Sequence, residues 1–177
     1  MKLSNLVTSI RQFRVYHRWV GISIVVFMVA TSITGVLLGW KKNVNWLQPP
    51  MQKGSSNSTA NWVSFDQVVR TANRAIDSLA ITRSGIDRLD ARPDKGIIKV
   101  IYQNYWEVQV DGATGRALSV ARRNADFIEH IHDGSIISDA VKLIYTNYTG
   151  LGLFVLALSG FWLWYGPRRV RARKERP

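Results

Sequence analysis

The sequence predicts an α+β membrane protein, in which two transmembrane helices flank a small exported domain built from one helix on an antiparallel sheet. The first observation is that residues 19–40 carry no charged side chain. The second is an apolar run that returns at residues 151–165, after a long stretch of mixed charge. At ~1.5 Å per residue, a helix over the first run spans ~30 Å, about the thickness of bilayer hydrocarbon.

The charge distribution predicts the orientation in the membrane. The net charge is +12, and the basic excess lies mainly in residues 1–18 and 167–177. Short basic segments stay in the cytoplasm, so we expect cytoplasmic termini and an exported middle. Because topology and anionic lipid head groups account for the excess charge, we expect the lipid bilayer as a partner and no nucleic acid. The chain has no cysteine, which excludes thiol catalysis, disulfides and thiolate metal sites.

The N-terminal membrane segments are predicted from their apolar periodicity. Residues 1–18 have a helical apolar face, which is typical of an amphipathic segment lying on the inner leaflet. Residues 19–40 predict the first transmembrane helix, and the length of its apolar core indicates an uncleaved signal anchor. Residues at helical spacing on one side of this helix predict a packed seam, and its glycines would let another helix approach closely. The members of this seam are Gly21, Ile24, Met28, Thr31, Gly35 and Gly39.

The region between the two spans predicts a linker followed by the exported domain. Residues 41–63 predict a linker, because Pro49-Pro50 and a polar glycine-serine run oppose regular structure. Residues 64–123 predict the exported domain, which opens with a helix capped by Ser64. Alternating apolar residues then predict antiparallel strands. We place these strands at residues 86–91, 97–102, 105–110 and 116–120, with turns at 103–104 and 111–115.

The C-terminal region is predicted to be mostly helical. Residues 124–144 predict interfacial helices, which Gly134 divides. Residues 145–166 predict the second transmembrane helix. Gly166 followed by Pro167 predicts the end of that helix, and residues 167–177 predict a basic cytoplasmic tail.

Several short motifs carry a resemblance to a known family. Residues 106–115 read WEVQVDGATG, which resembles the end of the PepSY domain. The flanking segments are similar to the PepSY-associated transmembrane family in the order of their motifs, and nearly the whole chain is covered. These motifs are His17-Arg18-Trp19-Val20-Gly21, Thr34-Gly35, Ile131-His132-Asp133-Gly134, Gly150-Leu151, Ser159-Gly160 with Phe161-Trp162-Leu163-Trp164, and Arg168-Arg169.

The resemblance implies a cofactor and a reaction. Larger members of the family have four or more spans, and some are ferric-siderophore or flavin-linked reductases that carry b-type haem between histidines of the spans. This chain has two predicted spans and no flavin or nicotinamide module. The resemblance therefore implies a bacterial inner-membrane protein with its middle domain in the periplasm. It would be a homodimer, or a complex with a partner membrane subunit, that carries electrons through haem b. The acceptor would be a ferric siderophore, which would make the chain a component of ferric reduction in iron uptake.

Three histidines are candidate haem ligands. Neutral imidazole is a common axial ligand of b-type haem in membrane bundles. The family motifs favour His17 at the cytoplasmic end of the first span and His132 near the outer face. A two-fold dimer would then hold one bis-histidine haem at each face. His130 is an alternative ligand, but on a helix it points ~200° away from His132, so both cannot serve one site.

Residues near His17 would also contact the haem. Gly21 lies one turn further along the same face and would leave room for a flat macrocycle. Arg14 and Arg18 would pair with haem propionates. The alternative for His17 is contact with lipid head groups, and no side chain is predicted to be catalytic.

Two other functions fit the same sequence. The first is a non-catalytic binding or accessory subunit of a membrane transporter or reductase complex, whose PepSY-like domain binds a periplasmic protein. It predicts that His17 and His132 tolerate alanine, whereas changes in the hairpin strand at residues 105–110 abolish binding. The second is regulation of a membrane protease, which rests on fold analogy alone.

Overall fold

A computed structural model describes residues 3–174. Its main helices and strands are α1 (Leu3–Gly39), α2 (Phe65–Ser78), β1 (Ile86–Arg92), β2 (Ile97–Tyr102), β3 (Trp106–Asp111), β4 (Ala117–Arg122), α3 (Asn124–Asp133) and α4 (Asp139–Lys174). These residues divide into two compact units. The helical unit comprises the described residues up to Gly35 and from His130 onward, and the sheet unit is Val36–Glu129.

α1 is one continuous helix that covers both the predicted amphipathic segment and the predicted first transmembrane helix. It contains no proline, and its first glycine is Gly21. Nothing in the sequence therefore interrupts backbone hydrogen bonding between the two segments. The predicted boundary after residue 18 is a change in composition and not a change in secondary structure. Residues 1 and 2 lie outside the described residues.

α4 continues through Gly166 and Pro167 to Lys174, so the predicted helix end at this pair is wrong. Proline removes a single backbone donor, and the arginines and alanine that follow are good helix formers. Gly166 also has a packing role, because a Cβ at this position would lie 2.9 Å from Cγ1 of Ile10 on α1. The glycine therefore allows close helix packing and does not stop the helix. The end of the predicted basic tail, residues 175–177, lies outside the described residues.

The region 124–144 is helical, with one break. The predicted break at Gly134 is confirmed, because α3 ends immediately before it and Gly134 has φ 78°. Residues 139–144 are not a separate interfacial helix but the beginning of α4. No glycine or proline separates them from the predicted second span, so the helix runs on.

The sheet unit confirms the predicted helix on an antiparallel sheet. Strands β1 to β4 form a meander in chain order, and each strand is antiparallel to its neighbour. α2 begins after Ser64, whose hydroxyl accepts the backbone N–H of Gln67 at 3.3 Å, as the predicted cap requires. One face of α2 packs on the sheet and closes an apolar core. The buried residues of this core are Val68, Ala72, Ile76, Ile98, Val100, Tyr102, Val108 and Val110.

The connection between β2 and β3 has three residues, 103–105, instead of the predicted two. Tyr105 has φ 68°, and its N–H donates to the Tyr102 carbonyl at 2.9 Å. A left-handed residue in the third position is common in three-residue hairpins. The Tyr105 ring contacts Phe127 edge-on with a centroid distance of 5.8 Å, which helps to offset the cost of its backbone conformation.

The predicted linker is ordered against the second face of the sheet. Gln109 on β3 holds it twice, since its side-chain amide donates to the Pro50 carbonyl at 3.1 Å and accepts the Gln52 N–H at 2.8 Å. Further along, the Gly54 N–H donates to the Lys95 carbonyl at 2.8 Å. The linker therefore satisfies polar groups that β2 and β3 direct to this face.

Asp111 ties the linker to the turn between β3 and β4. Its carboxylate accepts the Ser55 N–H at 2.9 Å and hydroxyl at 3.1 Å, and the N–H groups of Ala113 at 2.9 Å and Thr114 at 3.1 Å. Burial opposes the charged form, but these hydrogen bonds outweigh it and lower the pKa of Asp111. Gly115 completes the turn with φ 70°, a region that other residues rarely adopt. The aspartate and glycine of the WEVQVDGATG motif therefore have structural roles.

A buried charged cluster lies on the same face of the sheet. Glu107 is 1% exposed and accepts hydrogen bonds from Lys99 Nζ at 3.3 Å and Gln109 Nε2 at 2.8 Å. It also accepts one from Arg123, whose guanidinium bonds in addition to Asp126. Burial disfavours the charged guanidinium, but the bonds to Asp126 and Glu107 outweigh it and raise the pKa of Arg123. Two cations therefore neutralise the buried Glu107.

Candidate functional site

α1 and α4 of the helical unit pack antiparallel along a seam whose contacts recur every seven residues on both helices. The pairs at four successive levels are Ile10 with Gly166, His17 with Ser159, Ile24 with Gly152, and Thr31 with Tyr145. A seven-residue repeat is typical of coiled-coil-like packing. Gly21 belongs to this seam, since a Cβ there would lie 3.8 Å from Leu156 Cδ2. A Cβ at Gly39 would meet no described atom within 4 Å, so Gly39 is not part of the predicted seam.

Gly152 is the seam position where a larger residue is expected to be most harmful. A Cβ there would lie 2.9 Å from Cδ1 of Ile24, which is 1% exposed. Gly152→Leu should therefore overpack the seam at a cost of ~1–3 kcal/mol, measured as a loss of thermal stability of the full chain in detergent. Gly150→Leu is the matched control, because a Cβ at Gly150 meets nothing within 4 Å. Equal losses in both variants would contradict the seam.

His17 lies in this seam and is half-buried. Its Nδ1 is 2.7 Å from Ser159 Oγ on α4. The next residue of α4, Gly160, faces the edge of the ring, and a Cβ there would lie 3.6 Å from Cε1. α4 thus presents a hydroxyl group and a side-chain-free stretch of backbone to the imidazole.

His132 is held in the same way near the other end of α1. It is half-buried on the last turn of α3, and its Nδ1 is 2.9 Å from Thr34 Oγ1. A Cβ at the following residue, Gly35, would lie 3.4 Å from Cε1 of this ring. At ~1.5 Å per residue, Thr34 is ~25 Å further along the axis of α1 than His17. Two equivalent histidine contacts therefore lie at well-separated levels of the helical unit.

A small pocket of about 160 Å³ lies beside His132. Its lining residues are Thr31, His132, Asp133, Tyr145, Thr146, Thr149 and Gly150. Thr149 is 6% exposed, and its hydroxyl has no hydrogen-bond partner within residues 3–174. Burial opposes ionisation of Asp133, but hydrogen bonds from Lys142 and Ser135 outweigh it and lower its pKa to about 2. The only carboxylate of the pocket is therefore ionised at neutral pH and already paired with Lys142 at 2.7 Å.

The other predicted site residues lie outside these two hydroxyl contacts. His130 is half-buried on α3, two residues before His132. Arg14 and Arg18 are exposed on α1. Arg14 lines an open pocket of about 340 Å³, which Arg11 and Arg171 also line. Within the described part of the chain, no group of three or more His, Cys, Asp or Glu residues could hold a metal ion.

Thr34 and Ser159 are site residues that residue type alone did not predict. Asp126 and Glu129 precede His130 and His132 in the sequence, but Asp126 is paired with Arg123 and Glu129 with Lys41. The available signal was a repetition, since a hydroxyl residue followed by glycine occurs in both spans, at Thr34-Gly35 and at Ser159-Gly160.

Two helices are long and apolar enough to cross a membrane, Ser4–Gly39 and Asp139–Arg173, and only 11% and 22% of their most apolar windows are buried. No curated protein and no solved structure matches the chain. The family model described as the PepSY-associated TM region matches residues 14–177, which include the sheet unit, the second helix and the first helix from Arg14 onward. The chain is therefore a membrane protein that belongs to the PepSY-associated transmembrane family.

Proposed function

We propose that this protein is a transmembrane electron carrier, which binds b-type haem between two copies of the chain and passes electrons to ferric-siderophore iron. The observation that carries the proposal is the pair of half-buried imidazoles, His17 and His132, each held by a hydroxyl of a neighbouring helix. Their levels are ~25 Å apart along α1, close to the thickness of bilayer hydrocarbon. Each imidazole would therefore lie near one membrane face.

The residues present fit a haem whose iron one histidine of each chain would hold at each level. Ligating histidines commonly bond a neighbouring group through the second ring nitrogen, and Ser159 and Thr34 occupy that position. The pocket beside His132, at about 160 Å³, is smaller than the ~300–1,000 Å³ that enclose a drug-sized ligand. A single chain does not enclose a macrocycle there, so a second copy would supply the facing wall and the second ligand.

A two-fold dimer satisfies this requirement. An axis along the membrane normal would bring two His17 together at one face and two His132 together at the other. Large apolar side chains of both spans are exposed and are available to lipid or to a second copy. They include Ile22, Val26, Ile33, Leu151, Phe154 and Leu158. Bound haem iron would cycle between the ferric and ferrous states and so carry one electron at a time.

The basic ends of α1 and α4 would lie on the cytoplasmic side of the bacterial inner membrane. Arg14 and Arg18 are exposed near His17 on α1 and would pair with the haem propionates. The sheet unit would then be periplasmic. In the overall reaction, a reduced flavoprotein or quinol gives up one electron, and siderophore-bound Fe(III) accepts it to become Fe(II).

Electron transfer across a bilayer tests this function. The haem-loaded protein is reconstituted into liposomes that enclose ferricyanide, and dithionite is added outside. We expect the enclosed ferricyanide to be reduced many-fold faster than in protein-free liposomes. A rate equal to that of protein-free liposomes, with haem still bound, would contradict electron transfer and favour the non-catalytic accessory function.

A further inference from the structure

The two histidine contacts share a feature that fixes the position of a proton. Ser159 Oγ lies 2.6 Å from the Val155 carbonyl, and Thr34 Oγ1 lies 2.7 Å from the Ala30 carbonyl. In both cases the hydroxyl donates to the carbonyl four residues earlier in its own helix, a common arrangement of serine and threonine in helices.

A hydroxyl group has one proton, and a carbonyl oxygen can only accept. Because Ser159 and Thr34 give their protons to their own helices, each hydroxyl meets the imidazole with a lone pair. The ring nitrogen at 2.7 Å in His17 and at 2.9 Å in His132 must therefore be the donor. If the hydroxyl donated to the ring instead, two oxygen lone pairs would face each other at the carbonyl.

We infer that Ser159 and Thr34 are positioning residues, which hold a ring proton of His17 and His132 on Nδ1 and so, in the neutral ring, leave the Nε2 lone pair for a metal ion. A neutral imidazole has one N–H, so Nε2 is the ring nitrogen that can bind a metal. No hydrogen-bond partner of either Nε2 occurs among the described residues. The inference rests on the proposed function only where it names haem iron as the metal that Nε2 would bind.

The arrangement occurs twice with different helices in each role. His17 is on α1 and its acceptor is on α4, whereas His132 is on α3 and its acceptor is on α1. Free histidine in water favours the opposite tautomer, with the proton on Nε2. The protein therefore inverts the intrinsic preference at both levels. In metal sites, a hydrogen-bond acceptor beside the other ring nitrogen orients a ligating histidine in the same way.

Nuclear magnetic resonance of the haem-free full chain, labelled in its histidine rings and held in liposomes, tests the tautomers without any cofactor. The measurement is made at about pH 8, above the ordinary histidine pKa. We expect His17 and His132 to show the ring ¹⁵N and ¹³Cδ2 shifts of the Nδ1–H form. The Nε2–H form at either histidine in the wild-type chain would overturn the inference at that level.

Variants assign the effect to the hydroxyls. Ser159→Ala should move the His17 resonances towards the Nε2–H form and leave His132 unchanged, and Thr34→Ala should do the reverse. Ser159→Thr and Thr34→Ser keep the hydroxyl and should keep the Nδ1–H form, which separates proton position from packing. Wild-type shifts in the alanine variants would overturn the positioning role.

Haem titration of the same variants tests whether haem iron is the metal that Nε2 binds. Removing the hydroxyl that bonds to a histidine should weaken haem binding ~10–100-fold at the affected level only. If the tautomers are as expected but the wild-type chain binds no haem, the proposed function fails and the inference about proton position stands. If haem binds but its iron is coordinated through Nδ1, the inference fails and the proposed function stands.

Discussion

Replacing His17 by alanine is expected to remove about half of the haem that the purified protein binds, because one of the two levels of the proposed dimer would lose both histidines that hold the haem. His132→Ala should remove the other half, and the double variant should bind none. The measurement is haem per chain, determined by the pyridine haemochrome method on protein from cells supplied with a haem precursor.

His130→Ala distinguishes the alternative ligand from His132. This variant also removes an imidazole from α3, but at a position two residues before His132 and outside the contact between His132 and Thr34. We expect this variant to retain its full haem content. Full haem content in His17→Ala would contradict its ligand role, and loss of all haem in each single variant would contradict two independent levels.

Glu107→Ala is expected to cause the largest loss of stability in the sheet unit. Without this carboxylate, Lys99 at 2% exposure loses its partner at 3.3 Å, and Arg123 loses one of its two acidic partners. Breaking a buried ion pair typically costs ~3–5 kcal/mol. In hydrogen–deuterium exchange of the full chain, the amides of β2 and β3 should exchange roughly 10²- to 10⁴-fold faster.

Asp87→Ala is the matched control for this effect. Asp87 pairs with Arg88 at the surface, where both side chains are about half exposed, and such pairs contribute ~0–1 kcal/mol. Its exchange rates in β2 and β3 should stay close to those of the wild-type chain. If Glu107→Ala behaves like Asp87→Ala, the buried cluster does not stabilise the sheet.

Local sequence signals predicted the elements whose determinants lie within a few residues. Ser64 and Gln67 are three residues apart and predicted the start of α2. Gly134 has no side chain to resist a positive φ, and it predicted the end of α3. Gly166 and Pro167 predicted a helix end that is wrong. The role of the glycine is close contact with Ile10 on a helix distant in sequence, and not a local turn of the backbone.

Long-range contacts explain what could not be predicted. The order of the linker depends on Gln109 and Asp111, which lie more than fifty residues further along the chain. His17 and His132 were predicted from family motifs. Their hydroxyl partners depend on how α1 is aligned with α4 and α3, and that alignment could not be predicted from the sequence. The repeated hydroxyl-glycine pair in both spans becomes informative only once that register brings each pair to a histidine.

The absorption spectrum of the purified full chain, oxidised and then reduced with dithionite, shows whether the protein binds haem. Cells are supplied with a haem precursor, and haem and protein are both quantified. We expect a sharp reduced α-band of b-type haem and one haem per chain. A visible spectrum without haem bands would contradict the electron carrier and favour a binding subunit of a larger membrane complex.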